Sequence, residues 1–239
     1  MNLVFTMAGL YERFEPFSLS VPKYLLPYKS QSVFIEVVKG YLKPEVKKIY
    51  FIVNNKDSSF FNLLKSQIKS MKIKEFEFIP IEKTHSQIES AFKGLQKINK
   101  KINKNVPIGI TNIDTMIINR DFNLYKKKLL KYDCLVDIFF SNNKNYSYVQ
   151  FDKKNNVINI KEKIIISNFA SSGLYFFKSS DLLLKELVKG TGLGETYFSH
   201  LINRMIKNKF SVTCNKISPK NKTIILGTPE QYISEIQKN

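Results

Sequence analysis

Residues 1–14 read MNLVFTMAGLYERF. An apolar run of strand length stops at the small step Ala8-Gly9, and a cation, Arg13, follows close behind. The nearby stretch VPKYLLP (21–27) adds the isolated pair Pro22-Lys23. A strand that ends in small residues with cations beyond it raises two questions: what sheet the strand joins, and what the loop faces.

The rest of the chain answers the first. LVFTM (3–7), KIYFIVN (48–54), EFEFIPI (75–81) and VPIGITN (106–112) read as short buried strands rich in Ile, Val and Phe. Between them, apolar residues recur at helical spacing. In SVFIEVVKGYL (32–42), Val33, Phe34, Val37, Val38, Tyr41 and Leu42 share one face, and FFNLLKSQIKSM (60–71) and SQIESAFKGLQKI (86–98) are built alike. Strand then helix, repeated, predicts crossover connections and a largely parallel sheet covered on both faces.

The second half changes character. YSYVQF (146–151), the turn DKKNN and VINIKEK (157–163) read as a hairpin, and ASSGLYFFK (170–178) as another strand. Two helical stretches at about 180 to 207 follow, then a last strand and helix in TIILGTPEQYISEIQ (223–237). No Pro/Gly/Ser linker or repeat interrupts the pattern, and only KINKKINKN (97–105) is compositionally biased. The simplest account is one α/β domain over residues 1–239 with a mixed sheet.

Composition is consistent with this. The 239 residues are 43% hydrophobic, enough to build a sizeable core and to exclude a disordered class. Lys and Arg number 38 against 20 Asp and Glu, a net charge of +18. Such an excess favours acidic ligands such as nucleotides, nucleic acid or anionic surfaces, and it equally describes a lysine-covered solvated surface. Cys134 and Cys214 stand far apart in apolar strand-like runs, which predicts buried free thiols and fits a reducing cytoplasm. The start has no basic leader, and Glu12 and Arg13 interrupt its apolar run, so neither a secretory signal nor a membrane anchor is expected there. No stretch approaches the roughly 18 apolar residues that a bilayer-spanning helix requires.

Ligands of parallel α/β sheets bind outside the carboxyl ends of the strands, so the loops after the strands should carry the chemistry. Ala8 and Gly9 would let backbone amides approach an anion closely. Arg13 supplies a forked donor for phosphate oxygens and Lys23 a mobile point charge. Taken alone, the same loop is an ordinary strand-to-helix turn. Asp114 reads equally well as a turn cap, Glu162-Lys163 as an exposed hairpin pair, His85 and His200 as surface or cap residues, and lysines 126–128 as a solvated helix face.

The arrangement resembles the nucleotidylyltransferases that make nucleotide-activated sugars, including those of capsule and surface polysaccharide assembly. FTMAGLYERF (5–14) is similar to the family's first strand and small-Ala-Gly-x-Gly-Thr/Ser-Arg loop, and Pro22-Lys23 with LLP to its Pro-Lys-x-Leu-x-Pro. TNIDTMI (111–117) matches the strand end with an Asn-x-Asp metal-binding step. NIKEK before ASSGLYFFK resembles the Glu-Lys pair and Gly-x-Tyr-x-Phe strand of the sugar-phosphate pocket. GETYFSHLINRMIKNKFSV (194–212) and GTPEQYISEI (227–236) resemble the late helix and the closing Gly-Thr-Pro-Glu helix start.

The resemblance implies a single Rossmann-like domain with a central mixed, mostly parallel sheet flanked by helices. It implies a reaction in which a sugar phosphate oxygen attacks the α-phosphorus of a nucleoside triphosphate and pyrophosphate leaves, without an enzyme nucleophile. By the same resemblance, Arg13 and the backbone of Met7, Ala8, Gly9 and Leu10 hold the triphosphate, Asn112 contacts the nucleotide, Lys23 contacts the α-phosphate, and Asp114 binds Mg²⁺. Glu162, Lys163 and Gly173 serve the phosphorylated acceptor. The base lies over IEKTHSQIES (81–90), which brings His85 to the nucleotide. Nucleic acid and membrane insertion are not expected, and oligomeric state is open.

Two departures fall on the chemistry. Tyr11 and Glu12 stand where that family carries a second Gly and then Thr or Ser. The Tyr11 ring would fill space near the phosphates, and the Glu12 carboxylate would repel them unless it points away or shares a cation. Ile225 stands where many members place a second metal-binding Asp, and an apolar side chain ligates no Mg²⁺. An active enzyme and a non-catalytic nucleotide- or partner-binding relative are therefore both compatible with the sequence. A basic nucleic-acid-binding protein has only the net charge in its favour, since aromatic RNA-binding signatures, paired cysteines and a recognition-helix unit are all missing from the sequence.

Overall fold

The computed structural model of the protein describes residues 1–9, 11–14, 21–215 and 217–238. In chain order, the first half carries β1 (Asn2–Met7), the two-residue strands β2 (Pro27–Tyr28) and β3 (Gln31–Ser32), α1 (Val33–Tyr41), β4 (Lys48–Asn54), α2 (Phe61–Ser70), β5 (Phe76–Ile81), α3 (Gln87–Ile98), β6 (Ile108–Asn112), β7 (Thr115–Ile118) and α4 (Phe122–Lys128). The second half carries β8 (Cys134–Phe140), β9 (Ser147–Phe151), β10 (Val157–Glu162), β11 (Phe169–Phe177), α5 (Ser180–Thr191), α6 (Phe198–Lys207), β12 (Val212–Cys214), β13 (Lys222–Ile225) and α7 (Pro229–Ile236).

The main sheet runs β10-β9-β11-β6-β1-β4-β5, with β8 paired to β11 and β12 paired to β8. Strands β5, β4, β1 and β6 are mutually parallel, so this half has the expected crossover architecture with a helix after each of β4 and β5. β11 then enters antiparallel to β6 and to β8, which makes the sheet mixed. The register of β11 against β8 shifts between Ser171 and Tyr175, where Gly173 has φ +82°. This irregularity bends the strand in mid-sheet.

Alternation along the strands splits the core in two. From β1, Val4 belongs to the buried cluster that contains Ile88, Ala91, Leu95 and Ile98 of α3 and Leu183 and Leu201 of α5 and α6. Leu3 and Phe5 face the other way, onto Phe34, Val37, Val38 and Tyr41 of α1 and Leu64 and Ile68 of α2. Every residue of β1 is buried, as a central strand covered on both faces must be. Helix starts follow local chemistry. The side chains of Ser32 and Ser86 accept hydrogen bonds from Ile35 N and Glu89 N to begin α1 and α3. Thr228 and Gln231 form a capping box with Pro229 in the first turn of α7.

Cys134 and Cys214 are buried free thiols, and burial pushes Cys214 up to about 12, as expected for inert structural cysteines. Among the described residues no helix is long and apolar enough to cross a membrane. Lysines 126–128 lie in the last turn of α4, and Lys128 departs from a solvated face: its Nζ donates to the Cys214 carbonyl.

One buried ion pair ties the outer elements to the sheet. Arg120 binds Asp137 of β8 through Nε at 2.8 Å and Nη2 at 3.2 Å, with both side chains at 0% exposure. The Asp137 carboxylate also accepts from Tyr125 Oη at 2.5 Å and Ser172 Oγ at 2.7 Å, while Arg120 donates to Thr223 Oγ1 of β13 at 2.6 Å. The group is well satisfied, so removing one member leaves an uncompensated buried charge. Arg120→Met is expected to lower unfolding free energy by about 3–5 kcal/mol, read from urea denaturation, with a loss under about 1 kcal/mol contradicting this assignment.

Candidate active site

A cavity of about 1240 Å³ opens beside the carboxyl ends of β1 and β6. It is bordered by Met7, Gly9, Arg13, Lys23, His85, Asn112, Asp114, Glu162, Lys163 and Gly173, so residues chosen from six separate stretches of sequence meet on one surface. Leu10, the remaining loop residue of interest, lies outside the described residues. Ala8 does not border the cavity. It is fully buried, and its carbonyl accepts from Thr84 N at 3.2 Å and Asn54 Nδ2 at 3.4 Å, which anchors the loop from behind. Gly9 bridges to Thr84, and a Cβ added there would meet no protein atom within 4 Å.

Arg13 sits exposed on the short 3-10 turn Glu12–Phe14. Its charge reaches the start of α7: Glu230 is held below the usual carboxylate range by backbone and Thr228 hydrogen bonds and, more weakly, by Arg13. Lys23 begins a second 3-10 turn, Lys23–Leu25, and its ammonium pairs with Asp114 Oδ2. The expected phosphate lysine and the expected metal carboxylate therefore neutralise each other across the cavity wall. Their side chains are 22% and 15% exposed, so the pair is largely shielded from water but open on the cavity side.

Asp114 connects β6 to β7, and its backbone carbonyl accepts from Leu226 N at 2.8 Å. β13 pairs antiparallel with β7 and sets Ile225 opposite Thr115, so Ile225 borders the cavity next to Asp114. Gly227 packs close, since a Cβ on it would lie 3.3 Å from Asp114 Oδ2. Beyond it, Gln231 Nε2 donates to Tyr146 Oη at 2.7 Å. Burial raises the Tyr146 hydroxyl above its ordinary range against the lowering effect of Gln231.

Among the described residues no three His, Cys, Asp or Glu side chains gather to hold a metal ion by themselves. Mg²⁺ is often held by one or two carboxylates, with waters and substrate phosphates completing its octahedron. The donor set thus fits Mg²⁺ through Asp114 in company with a triphosphate, provided that Lys23 yields its place.

The opposite wall is polar and fixed. Glu162 Oε2 accepts from Ser199 Oγ at 2.8 Å and from Ser147 Oγ, which sets the carboxylate's direction. Lys163 adopts φ +54°, and its ammonium lies 5.5 Å from the Tyr197 ring centroid. Gly173 has a concrete requirement: besides its positive φ, an added Cβ would stand 3.0 Å from Asn112 Nδ2. Its carbonyl accepts from Gln87 Nε2 at 3.1 Å, which joins β11 to the start of α3. His85 is exposed, its backbone N–H donating to Glu89 Oε2 at 2.9 Å; His200 lies outside this wall, on α6.

The structure changes one expectation at the altered loop. Tyr11 is 7% exposed, and its hydroxyl turns to Asp57 at 2.7 Å, so the ring is built into the cavity wall instead of occupying the phosphate space. Glu12 remains exposed at the cavity edge. Sequence reasoning missed Asp57, the Ser147 and Ser199 donors, and the Gln231-Tyr146 contact. Only the capping-box pattern at Thr228-Gln231 offered any local signal for these, and it pointed to a helix start.

A mixed α/β sheet with an open cavity at its strand ends, lined by both cations and carboxylates, has the layout in which such sheets bind their ligands. The chain belongs to the nucleotidyl transferase family, whose family model matches residues 7–218. The expected likeness to nucleotidyltransferases is borne out at the level of the family.

Two curated relatives are similar. A bifunctional sugar-1-phosphate nucleotidylyltransferase/acetyltransferase of Sulfurisphaera tokodaii is 25% identical over 216 residues, 87% of this chain and 48% of the relative. The bifunctional protein GlmU of Methanocaldococcus jannaschii is 25% identical over 214 residues, again 87% and 48%. The chain thus spans about half the length of these relatives. Among solved structures, a nucleoside-diphosphate-sugar pyrophosphorylase from Vibrio cholerae RC9 superposes with a TM-score of 0.86 at 24% identity, covering 99% of this chain and 100% of that one. A UDP-glucose pyrophosphorylase complexed with UDP-glucose gives a TM-score of 0.79 at 17% identity, covering 99% and 97%. At these identities the two structures bear out the fold.

Ile225 provides a test of the metal geometry. Because it is only partly buried and borders the cavity, Ile225→Asp is expected to fold stably and to strengthen Mg²⁺ binding in the presence of a nucleoside triphosphate, measured by calorimetric titration. A stably folded variant with unchanged Mg²⁺ affinity would contradict the expectation that Mg²⁺ binds beside Asp114.

Proposed function

We propose that the protein joins a nucleoside triphosphate to a sugar phosphate or a phosphorylated sugar-like alcohol, releasing pyrophosphate, and that it serves capsule or surface polysaccharide assembly. Residues 1–239 act in this reading as one nucleotidyltransferase unit, in the cytoplasm. The observation that carries it is the single cavity that joins Gly9, Arg13 and Lys23 on one wall to Glu162, Lys163 and Gly173 on the other. A site for transfer between two phosphorylated substrates needs two such halves. The family membership and the sugar-1-phosphate nucleotidylyltransferase among the relatives support it.

In the reaction, an acceptor phosphate oxygen attacks the α-phosphorus in line, and the bond to pyrophosphate breaks. No enzyme nucleophile is required, so the chain contributes position and charge. The Gly9 loop and Arg13 hold the triphosphate, and Lys23 turns from Asp114 to the α-phosphate oxygens. Met7 and Asn112 shape the floor, and His85 stands at the base. Glu162, pre-aimed by Ser147 and Ser199, accepts hydrogen bonds from acceptor hydroxyls; Lys163 neutralises the acceptor phosphate; Gly173 leaves room for the ring. Mg²⁺ bound at Asp114 would supply charge neutralisation of the phosphates.

The exposed Glu12 and the apolar Ile225 on the same cavity favour a second reading, a non-catalytic relative that binds nucleotide or a partner enzyme. A pyrophosphate-release screen of the common nucleoside triphosphates against sugar and polyol phosphates with Mg²⁺ separates the two. Release that requires both substrates is expected. Nucleotide binding without release for any pair would favour the second reading. In the active pair, Arg13→Ala and Lys23→Ala should each weaken nucleotide use by roughly tenfold or more while leaving the fold intact, whereas Glu162→Ala should raise the KM for the acceptor far more than that for nucleotide. Equal effects of Glu162→Ala on both KM values would contradict its assignment to the acceptor half.

A further inference from the structure

Asp57 is a carboxylate at 1% exposure on the 3-10 turn Asn55–Phe60 that follows β4. It is not part of the cavity wall, yet both of its oxygens are directed to segments that are. Oδ1 accepts from Tyr11 Oη at 2.7 Å, and Oδ2 accepts from Tyr24 Oη at 2.8 Å. Tyr11 lies two residues beyond Gly9, and Tyr24 immediately follows Lys23. Both tyrosines are buried, at 7% and 1%.

The turn that carries Asp57 is itself held to β1. Asn54 donates from Nδ2 to the Ala8 carbonyl and accepts from Lys56 N at 3.1 Å, while the Lys56 ammonium lies 4.3 Å from the Tyr11 ring centroid. Burial, followed by the Asp57 charge, holds the Tyr24 hydroxyl above its ordinary range, so it remains a donor to the carboxylate. A buried carboxylate is costly unless its oxygens are satisfied, and here two hydroxyls from separate chain segments do that. The result is a three-residue clasp, with Tyr11 and Tyr24 in the cavity wall and Asp57 behind it.

We propose that Asp57 is a positioning residue for phosphate capture: by holding Tyr11 with one oxygen and Tyr24 with the other, it fixes the spacing between the loop at Gly9 and the ammonium of Lys23. Lys23 can then swing between Asp114 and a bound phosphate while its backbone stays registered against the loop. Asp57 touches no substrate, and its effect passes through the two tyrosines. The inference rests on the nucleotidyltransferase reading for the identity of the phosphate, and on the hydrogen bonds above for the coupling.

The test uses Tyr11→Phe, Tyr24→Phe, the double variant and Asp57→Asn in the full chain, with inorganic tripolyphosphate as the probe and pyrophosphate release as a second readout. The Phe variants retain the buried rings and stand in for Asp57→Asn if that protein does not fold. Each Phe variant is expected to lose roughly tenfold in tripolyphosphate affinity. The double variant should lose little more than either single one, because a clasp opened at one end no longer fixes the spacing. In turnover, kcat and the KM for nucleotide should change while the KM for the acceptor stays constant. Hydrogen exchange should rise together in peptides covering residues 7–14 and 22–28 in every variant.

Unchanged tripolyphosphate affinity, independent losses that multiply in the double variant, or faster exchange confined to one of the two segments would each overturn the proposal. A wild type that binds tripolyphosphate but releases no pyrophosphate would defeat the catalytic reading alone, and the affinities would still decide the clasp. A wild type that binds no tripolyphosphate overturns both.

Discussion

A central strand buried on both faces leaves water access only at its ends, and that constraint governs this molecule. β1 is buried along its whole length, packed by α3 on one side and α1 on the other, so no side chain in its middle can meet a solute. Chemistry has to begin where the strands stop, at Met7 and Asn112, and the loops beyond them carry the polar groups. Conserving this layout while varying the loops is also how one architecture can be directed to different ligands.

The cavity has a charge problem of its own. Lys23 and Asp114 sit together on one wall, and each is wanted by a different part of the proposed substrates: the lysine by phosphate, the carboxylate by a cation. Their ion pair keeps both from being unpaired in a partly buried place, where an isolated charge is unfavourable. In the proposed reaction the pair would make nucleotide and cation cooperative, since phosphate drawing Lys23 away would free the Asp114 oxygen, and a cation on Asp114 would free Lys23. On the other wall Glu162 is held by two serine hydroxyls, which orient the carboxylate through hydrogen bonds. One half of the site is therefore held by exchangeable charge and the other by hydrogen bonds.

Much of this was readable from local pattern. The parallel strands β1, β4, β5 and β6 declared themselves through short Ile/Val/Phe runs, and α1 and α3 through apolar residues at helical spacing, because burial on fixed faces imposes those periods. The cavity residues were legible because their loops follow the strands and because the sequence resembles a known family along nearly the whole chain. What stayed hidden depends on contacts between distant segments. Tyr11 and Tyr24 meet Asp57 across 46 and 33 residues, Ser199 meets Glu162 across 37, and Lys23 meets Asp114 across 91. No local spacing encodes such encounters. Strands β2 and β3 are two residues each, too short for any period to appear. Tyr11 is the instructive case: as a substituted loop residue it looked like an obstruction, and only the position of Asp57 gives it a place in the wall.

The central claim is that triphosphate occupies the space between the Gly9 loop and Lys23. A crystal structure with a nucleoside triphosphate whose α–β bridge is a methylene group, and Mg²⁺, tests it most directly. The account predicts phosphates against the Gly9 backbone and Arg13, with Lys23 withdrawn from Asp114 and turned to the α-phosphate. Nucleotide bound elsewhere on the protein, or bound in the cavity with the Lys23-Asp114 pair intact, would contradict it.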